Sequence, residues 1–377
     1  MELKIDISKE YAIALEGGGA KGAYEVGAWR AIDEAGIKYS AVSGSSVGAL
    51  NGAMMAMKEL DRATEIWENI KFSQVVDADD EKMKKIFDKD IKVSDIREIA
   101  KRAIELFKDR GFDITPLRRL IDEIIDEKKI VESDIDLFFV TYSVSDRKEL
   151  DIDAKALPPG ELKDMLLASA YLPAFKNEKL GGKTYADGSI QNLVPLDLLI
   201  NRGYKDIIVI RIFGIGIEKR VKIAEDTTVI TIAPREKLGY ILNFDGEQSK
   251  KDIMLGYFDA KRVIYGLYGE TYYIDRTWTE KEAYDILSSL AADYYEGIGK
   301  PLSLREINEK TIRLMAKELN IKGDYYDIMI GYLEKAAEYF GIPRFEVFTD
   351  KEIYEMICSA KRQSQKKRLP KLLRLLP

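Results

Sequence analysis

A serine with a glycine two residues before it and another two residues after it matches the spacing of a catalytic serine motif. Gly44 to Gly48 reads GSSVG, which matches G-x-S-x-G with Ser46 at the centre. A short apolar stretch with the character of a strand precedes it and a small, apolar helical stretch follows, which is the setting of a nucleophile elbow. Ser45 is the competing candidate, but only Ser46 has glycine both two residues before and two residues after. The pattern predicts a nucleophile at Ser46.

The chain contains no histidine in 377 residues. This absence excludes a Ser-His-Asp triad and a zinc site of the HExxH type. Any hydrolase built on this chain must therefore work without the usual general base. Asp187, in the segment YADGSIQNLVP, is the candidate carboxylate. Taken alone, an aspartate beside a glycine more often indicates a turn.

A glycine-rich loop precedes the elbow. Gly17–Gly22 reads GGGAKG and lies between a predicted strand and a predicted helix. A dinucleotide site would need an acidic residue at the end of the next strand, but that strand runs into SGSSVG instead. Consecutive glycines let main-chain N–H groups approach a ligand at a helix N-terminus, which suits an oxyanion or a phosphate.

In this order the three motifs resemble those of the patatin-like phospholipases, which carry a G-G-G-x-[KR]-G loop, a G-x-S-x-G elbow and a D-G-[GA] motif. The last corresponds here to Asp187–Ser189, and Ser189 departs from the pattern because glycine or alanine is commoner there. Ser169–Phe175 (SAYLPAF) matches a further segment of the family. The resemblance covers about residues 9–235, and the missing histidine agrees with it, because an aspartate alone serves as the base in this family.

The resemblance implies a serine acyl hydrolase that cleaves ester bonds of phospholipids or related lipids through an acyl-enzyme intermediate. Ser46 would be the nucleophile and Asp187 the base. Lys21 would hold either a phosphate head group or the loop itself. The expected oxyanion-hole residues are Gly17, Gly18, Gly19, Ala20 and Val47.

Two alternatives stay open at this point. One is a thioesterase or an acyltransferase that uses the same dyad, and the other is a non-catalytic lipid-binding scaffold. The complete set of motifs argues against the scaffold, since a binding module needs no nucleophile opposite a base. We expect no cofactor. We also expect no metal, since the acidic run Asp77–Lys82 lacks the spaced ligands and the glycine of an EF-hand loop. We expect no nucleic acid partner.

The alternation of strands and helices predicts an α/β fold with a mainly parallel sheet; the family resemblance makes it a three-layer α/β/α sandwich. The charged segment 71–136 is expected to form inserted helices, either a cover for the site or a solvated face. Residues 240–360 are expected to form a helical region packed through tyrosines. The predicted strands and helices are Tyr11–Leu15, Ala20–Ala35, Tyr39–Ser43, Val47–Met57, Leu137–Val144, Leu162–Ala170, Ile207–Phe213 and Val229–Ala233.

Composition and the two chain ends indicate where in the cell the protein is located. The net charge is −6 and the single cysteine, Cys358, excludes an internal disulfide. We find no signal-peptide pattern and no apolar run of membrane-spanning length, which predicts a cytoplasmic protein. The basic, leucine-rich tail 361–377 is expected either to contact an anionic membrane or to solubilise the chain.

Three methionines in the predicted helix after Ser46 have two possible roles. Met54, Met55 and Met57 either fill a core or line an acyl-chain channel.

Overall fold

The computed structural model forms two compact units. One unit is Ile5–Ile264, and the other combines Met1–Lys4 with Tyr265–Pro377. Most of the predicted basic tail, positions 365–377, lies outside the described residues, as does the middle of the predicted insertion, 89–110. The structure describes residues 1–88, 111–173, 175–176, 178–293 and 302–364.

The unit Ile5–Ile264 is built on an eight-stranded sheet. Five strands run parallel in the order β3–β2–β1–β7–β8, which confirms the predicted mainly parallel sheet. The strands are β1 (Glu10–Leu15), β2 (Lys38–Ser45), β3 (Asp136–Ser143), β4 (Lys148–Asp153), β5 (Lys179–Leu180), β6 (Lys183–Asp187), β7 (Asp206–Ile210) and β8 (Thr228–Ile232).

Helices cover both faces of this sheet, as predicted for three layers. Among the described residues, no helix is both long and apolar enough to cross a bilayer. The helices are α1 (Ala23–Glu34), α2 (Val47–Ala56), α3 (Leu60–Glu68), α4 (Asp80–Asp88), α5 (Thr115–Ile124), α6 (Glu127–Val131), α7 (Leu162–Ser169), α8 (Leu196–Ile200) and α9 (Gly246–Tyr265).

Successive side chains of β1 point to opposite faces of the sheet, because a strand has a two-residue repeat. Ala12 and Ala14 belong to a buried cluster with Leu198 of α8 on one face. On the other face Leu15 lies against Gly52 of α2. The sheet is therefore covered by α8 on one side and by α2 on the other.

Strands β2 and β6 share one edge of β3. β4 pairs with β3 along Phe138–Ser143 and so occupies the opposite edge. On the shared edge, β2 runs parallel to β3 up to the pair Ser45↔Val140, and β6 runs antiparallel up to the pair Thr141↔Asp187. The carboxyl ends of β2 and β6 therefore meet at adjacent residues of β3.

Helix α9 packs directly against α1. A Cβ atom on residue 256 would lie 1.9 Å from Tyr24 O, and one on residue 27 would lie 1.9 Å from Ile253 O. Only glycines allow this approach. The two compact units divide at 264/265, whereas the sequence analysis began the helical region at residue 240. The domain bounds 9–235 and 240–360 stay a prediction.

The second unit contains the predicted C-terminal helical region, together with a short parallel ribbon that the sequence analysis did not predict. Tyrosines pack here edge to face, for example Tyr268 with Tyr326 at 5.1 Å between ring centroids. Cys358 is buried. The elements are β9 (Tyr273–Asp275), α10 (Glu280–Asp293), α11 (Leu304–Glu306), a π-helical turn (Ile307–Ile312), α12 (Arg313–Leu319), α13 (Tyr325–Phe340), β10 (Val347–Thr349) and α14 (Asp350–Gln363).

Candidate active site

Ser46 lies in a sharp turn between β2 and α2. Its backbone has φ 55° and ψ −121°, a combination that non-glycine residues rarely adopt and that marks functional turns. The flanking glycines make the turn possible. A Cβ atom on residue 44 would lie 2.2 Å from Gly48 O, and one on residue 48 would lie 2.7 Å from Leu15 O.

The hydroxyl of Ser46 donates a hydrogen bond to Asp187 Oδ2 at 2.5 Å. The meeting of β2 and β6 on β3 explains this contact, because each residue lies at the end of its strand. Ser46 is 3% exposed and Asp187 1% exposed. Ser45, the competing serine, instead shares a hydrogen bond with Ser189 Oγ at 3.2 Å.

Local contacts fix the Asp187 carboxylate. Its Oδ1 atom accepts the N–H of Ser189 at 2.8 Å, and its own N–H donates to Tyr171 O at 2.9 Å. A Cβ atom on residue 188 would lie 2.3 Å from Val140 O, so the glycine of the D-G motif lets the turn lie against β3.

The surroundings of Asp187 make it a stronger base than an ordinary aspartate. Burial raises the pKa of this carboxyl, and the hydrogen bonds from Ser46 and Ser189 oppose the rise. A carboxylate removed from water is less well stabilised in its charged form, so it accepts a proton more readily. Such a carboxylate can take the proton of an attacking hydroxyl without a histidine between them.

Ser169, the C-terminal residue of α7, holds the elbow in place through hydrogen bonds. Its Oγ atom accepts the N–H of Ser46 at 3.0 Å and donates its proton to Val140 O at 2.7 Å. Ser169 opens the SAYLPAF segment, and this role was not predicted from the sequence. That segment was the available signal.

The main-chain donors of the glycine-rich loop divide into two groups. The N–H of Gly17 donates to Leu193 O at 3.0 Å, and the N–H of Ala20 donates to Ile241 O at 2.8 Å. Neither is available to an oxyanion in this conformation, which corrects the expectation for these two residues. Within the described part of the chain, the N–H groups of Gly18 and Gly19 have no acceptor. The N–H of Val47 begins α2, where helix geometry provides none.

Lys21 does not line the cavity that contains Ser46. Its ammonium donates to Phe213 O at 2.6 Å. Lys21 lines a different cavity, together with Phe213, Ile215 and Tyr240. Burial lowers the pKa of Lys21. The contact favours the second of the two expected roles, in which Lys21 holds the loop.

An apolar cavity of about 80 Å³ opens beside Ser46. The polar atoms of Asn51 face away from it, since its amide donates to Gly22 O and Glu25 Oε2 and its oxygen accepts the indole N–H of Trp67. The lining residues are Gly19, Ser46, Val47, Leu50, Asn51, Met54, Ala63, Ile66, Trp67, Ile70, Val75, Leu117, Leu120, Ile124, Ala170, Leu172, Phe175 and Phe244.

This lining answers two questions left by the sequence. Met54 lines the cavity, whereas Met55 and Met57 are buried in the core. The charged segment 71–136 contributes α5, whose apolar residues Leu117 and Ile124 form part of the cavity wall. Whether that segment acts as a mobile cover stays a prediction.

Glu16, directly before the glycine-rich loop, is a site residue that the sequence analysis missed. Its carboxylate is fully buried and accepts hydrogen bonds from Arg211 Nε at 2.7 Å, Ile212 N at 2.8 Å and Gly214 N at 2.9 Å. Gly214 in turn lies against Gly17. The available signal was a charged residue between a fully apolar strand and a run of glycines.

The fold and this geometry define a class: α/β proteins with a serine at a strand–helix elbow opposite a carboxylate. Residues 13–200 match the family model described as patatin-like phospholipase. The chain belongs to the patatin-like phospholipase family, which confirms the family predicted from the three motifs.

Individual proteins with a similar sequence or structure are distant. Patatin-like phospholipase domain-containing protein 7 of Mus musculus is 27% identical over 206 residues, which cover 53% of this chain and 13% of that protein. The chain therefore spans only a small part of that relative's length. VipD from Legionella pneumophila aligns with a TM-score of 0.41 at 13% identity, covering 98% of this chain and 83% of VipD. ExoU of Pseudomonas aeruginosa, solved with SpcU, aligns with a TM-score of 0.32 at 12% identity, covering 97% and 76%.

Proposed function

We propose that this protein is a lipid acyl hydrolase that cleaves ester bonds through Ser46 and Asp187. The observation that carries the proposal is the 2.5 Å hydrogen bond between Ser46 Oγ and Asp187 Oδ2, formed at a strained elbow and shielded from water. In a chain without histidine, a buried carboxylate in this position can serve as the base for a nucleophilic serine.

In the proposed mechanism Asp187 Oδ2 accepts the hydroxyl proton while Ser46 Oγ attacks the ester carbonyl carbon. The N–H groups of Gly18, Gly19 and Val47 stabilise the oxyanion of the tetrahedral intermediate. The alcohol leaves with the proton from Asp187, and the acyl group stays on Ser46. Asp187 then takes a proton from water as the water oxygen attacks the acyl carbon, and it passes this proton to Ser46 Oγ when the ester bond to Ser46 breaks and the fatty acid leaves. Each oxyanion donor of this type is worth roughly 10²–10³ in rate.

Two further observations support a lipid substrate. Apart from Ser46 and Asn51, the cavity beside Ser46 is lined by apolar residues, which suits an acyl chain better than a polar group. The family and the mouse relative are both described as phospholipases. Phospholipids or lysophospholipids are therefore the substrates that we propose first.

The test is hydrolysis of a panel of phospholipids, lysophospholipids, triglycerides and acyl thioesters. Wild type should release fatty acid, and Ser46→Ala should release none while still unfolding cooperatively. Ser45→Ala is the matched control, since Ser45 is also buried but does not contact Asp187, and it should keep most of the activity. A fluorophosphonate should label wild type at Ser46.

Full activity in Ser46→Ala would overturn the mechanism. Preference for acyl thioesters, or transfer of the acyl group to an acceptor other than water, would move the assignment to a thioesterase or an acyltransferase. A wild-type chain that neither hydrolyses any substrate nor reacts with the fluorophosphonate would be a scaffold.

A further inference from the structure

Three large apolar side chains alternate with two glycines on the loop after β7. Phe213, Ile215 and Ile217 are 53%, 44% and 55% exposed. Because β7 runs parallel to β1 and β2, its carboxyl end lies at the same edge of the sheet as Ser46. The loop therefore exposes apolar surface at the edge that carries the candidate site.

The glycines between these residues anchor the loop. A Cβ atom on residue 214 would lie 1.7 Å from Gly17 O, and one on residue 216 would lie 2.1 Å from Ser189 O. Two main-chain hydrogen bonds add to these contacts, from Ile217 N to Ser189 O at 2.9 Å and from Leu193 N to Ile217 O at 2.7 Å. The loop backbone is thus fixed to the glycine-rich loop and to the loop after Asp187, while its side chains face outward.

Phe213 also has an unusual backbone. Its φ is 48°, in the left-handed region that bulky residues rarely occupy. Its N–H donates to the buried Glu16 at 3.2 Å, which holds it there. The Arg211 guanidinium lies 5.7 Å from the centroid of the Phe213 ring, but about half of this side chain stays exposed. Core packing does not explain the exposed ring, so contact with an apolar partner is the better explanation.

Positive charge lies beside the apolar residues. In the part of the chain that the structure describes, Arg220 and Lys222 are exposed and have no acidic partner. Glu218 forms an ion pair with Arg211 at 2.8 Å. These cations stand out because the whole chain has a net charge of −6.

We propose that the 213–222 surface, defined by Phe213, Ile215, Ile217, Arg220 and Lys222, docks on a lipid bilayer that contains anionic lipid. Apolar side chains would enter the interface while the cations contact head groups. The choice of a bilayer over a protein partner rests on the proposed lipid hydrolase function. Docking would bring Ser46 to the lipid.

Vesicle flotation of the full chain tests the proposal. The Ser46→Ala chain is used throughout, so that no lipid is hydrolysed during the measurement. It should bind vesicles of phosphatidylcholine with phosphatidylglycerol, and Ile215→Ser/Ile217→Ser should lower the partition coefficient roughly tenfold or more. The matched control is Ile7→Ser/Val131→Ser. These residues are exposed to a similar extent, 45% and 51%, at the amino ends of β1 and β3, so binding should not change.

The charge contribution is tested separately. Arg220→Gln/Lys222→Gln should weaken binding to the anionic vesicles, by about fivefold for each cation removed, and leave binding to pure phosphatidylcholine unchanged. Equal binding by Ile215→Ser/Ile217→Ser and its parent would overturn the proposal. So would a parent chain that binds neither vesicle.

Failure of this proposal can be separated from failure of the proposed function. Hydrolysis of a monomeric short-chain ester by wild type reports on Ser46 and Asp187 without a bilayer. Suppose that wild type hydrolyses the ester, but Ile215→Ser/Ile217→Ser in the Ser46→Ala chain binds vesicles as well as its parent. The enzyme assignment would then stand and the docking surface would be wrong. If wild type does not hydrolyse the ester, but vesicle binding still depends on Ile215 and Ile217, the docking surface would stand and the enzyme assignment would be wrong.

Discussion

Ser169 Oγ lies 3.0 Å from Ser46 N and accepts its hydrogen bond. Ser169→Ala would leave this buried N–H without an acceptor, at a cost of roughly 1–3 kcal/mol in unfolding free energy. The elbow would also lose a positioning contact, so kcat should fall on the order of tenfold to a hundredfold. Urea unfolding and ester hydrolysis measure the two effects.

The control for Ser169 is another buried serine. Ser43→Ala removes a hydrogen bond to Pro195 O at 2.9 Å in β2, outside the elbow. It should lower stability by a similar amount with little change in kcat. If both variants lost the same activity, a general packing defect would explain the result and the positioning role would be wrong.

The raised pKa of Asp187 predicts how activity and stability change with pH. Only the ionised carboxylate accepts a proton, so kcat should rise with pH and level off above the raised pKa rather than near the usual value of 3.8. The native state binds this proton more tightly than the unfolded chain, so the contribution to stability is present in acid and is lost as pH rises. Asp187→Asn should therefore be inactive, yet more stable than wild type at neutral pH.

The stability gain of Asp187→Asn should shrink in acid, as followed by thermal unfolding across acid and neutral pH. Asp146→Asn gives the opposite sign, because the hydrogen bond from Lys183 lowers the pKa of Asp146. That variant should lose stability at neutral pH. A stability difference for Asp187→Asn that did not vary with pH would contradict the prediction.

Gly17 and Ser189 should behave as a coupled pair. A Cβ atom on residue 17 would lie 2.1 Å from Ser189 Oγ. Gly17→Ala should therefore lower the unfolding free energy by about 1–3 kcal/mol through overpacking. Ser189→Gly removes the obstructing atom, so the double variant should recover much of the loss. A double-mutant cycle with a coupling energy near zero would show that Ser189 is not the cause.

Glu16 and Glu218 bind the same arginine but differ in burial. Glu16 is fully buried and Glu218 is 53% exposed. Glu16→Gln should lower stability by about 3–5 kcal/mol, because it disrupts a buried ion pair and its hydrogen bonds. Glu218→Gln should cost less than about 1 kcal/mol. Glu16→Gln should also slow acylation of Ser46, measured by fluorophosphonate labelling of the fraction that stays folded.

Labelling at the wild-type rate in folded Glu16→Gln would show that Glu16 only stabilises the fold. Slow labelling in Glu218→Gln would assign the effect to Arg211 instead.

The sequence predicted those parts of the site that depend on neighbouring residues. The elbow at Ser46 requires glycines at 44 and 48, and both requirements are local. The apolar runs that became β1 and β7 are buried and appear as such in the sequence. β7 ends at Ile210, three residues before the predicted end at Phe213, because the following N–H groups turn toward Glu16.

Features that depend on distant main-chain atoms could not be predicted. The N–H groups of Gly17 and Ala20 are occupied by carbonyls of Leu193 and Ile241, far along the chain. Nothing in GGGAKG distinguishes them from the free donors. β4 reads KELDID and is largely uncovered, so its residues lack the apolar pattern of a buried strand. β9 has only three residues, too few to show a period.

Strands β2 and β6 end at adjacent residues of β3, and this arrangement determines which structural changes would separate Ser46 from Asp187. Motions that bend the whole sheet carry Ser46 and Asp187 together and leave their separation nearly unchanged. A slip of β6 by one residue along β3 would instead turn Asp187 to the opposite face of the sheet. Loss of the dyad through such a slip would be all-or-none rather than gradual. A partly slipped population would then contain two species, one with wild-type turnover and one with none, and not a single enzyme with reduced turnover.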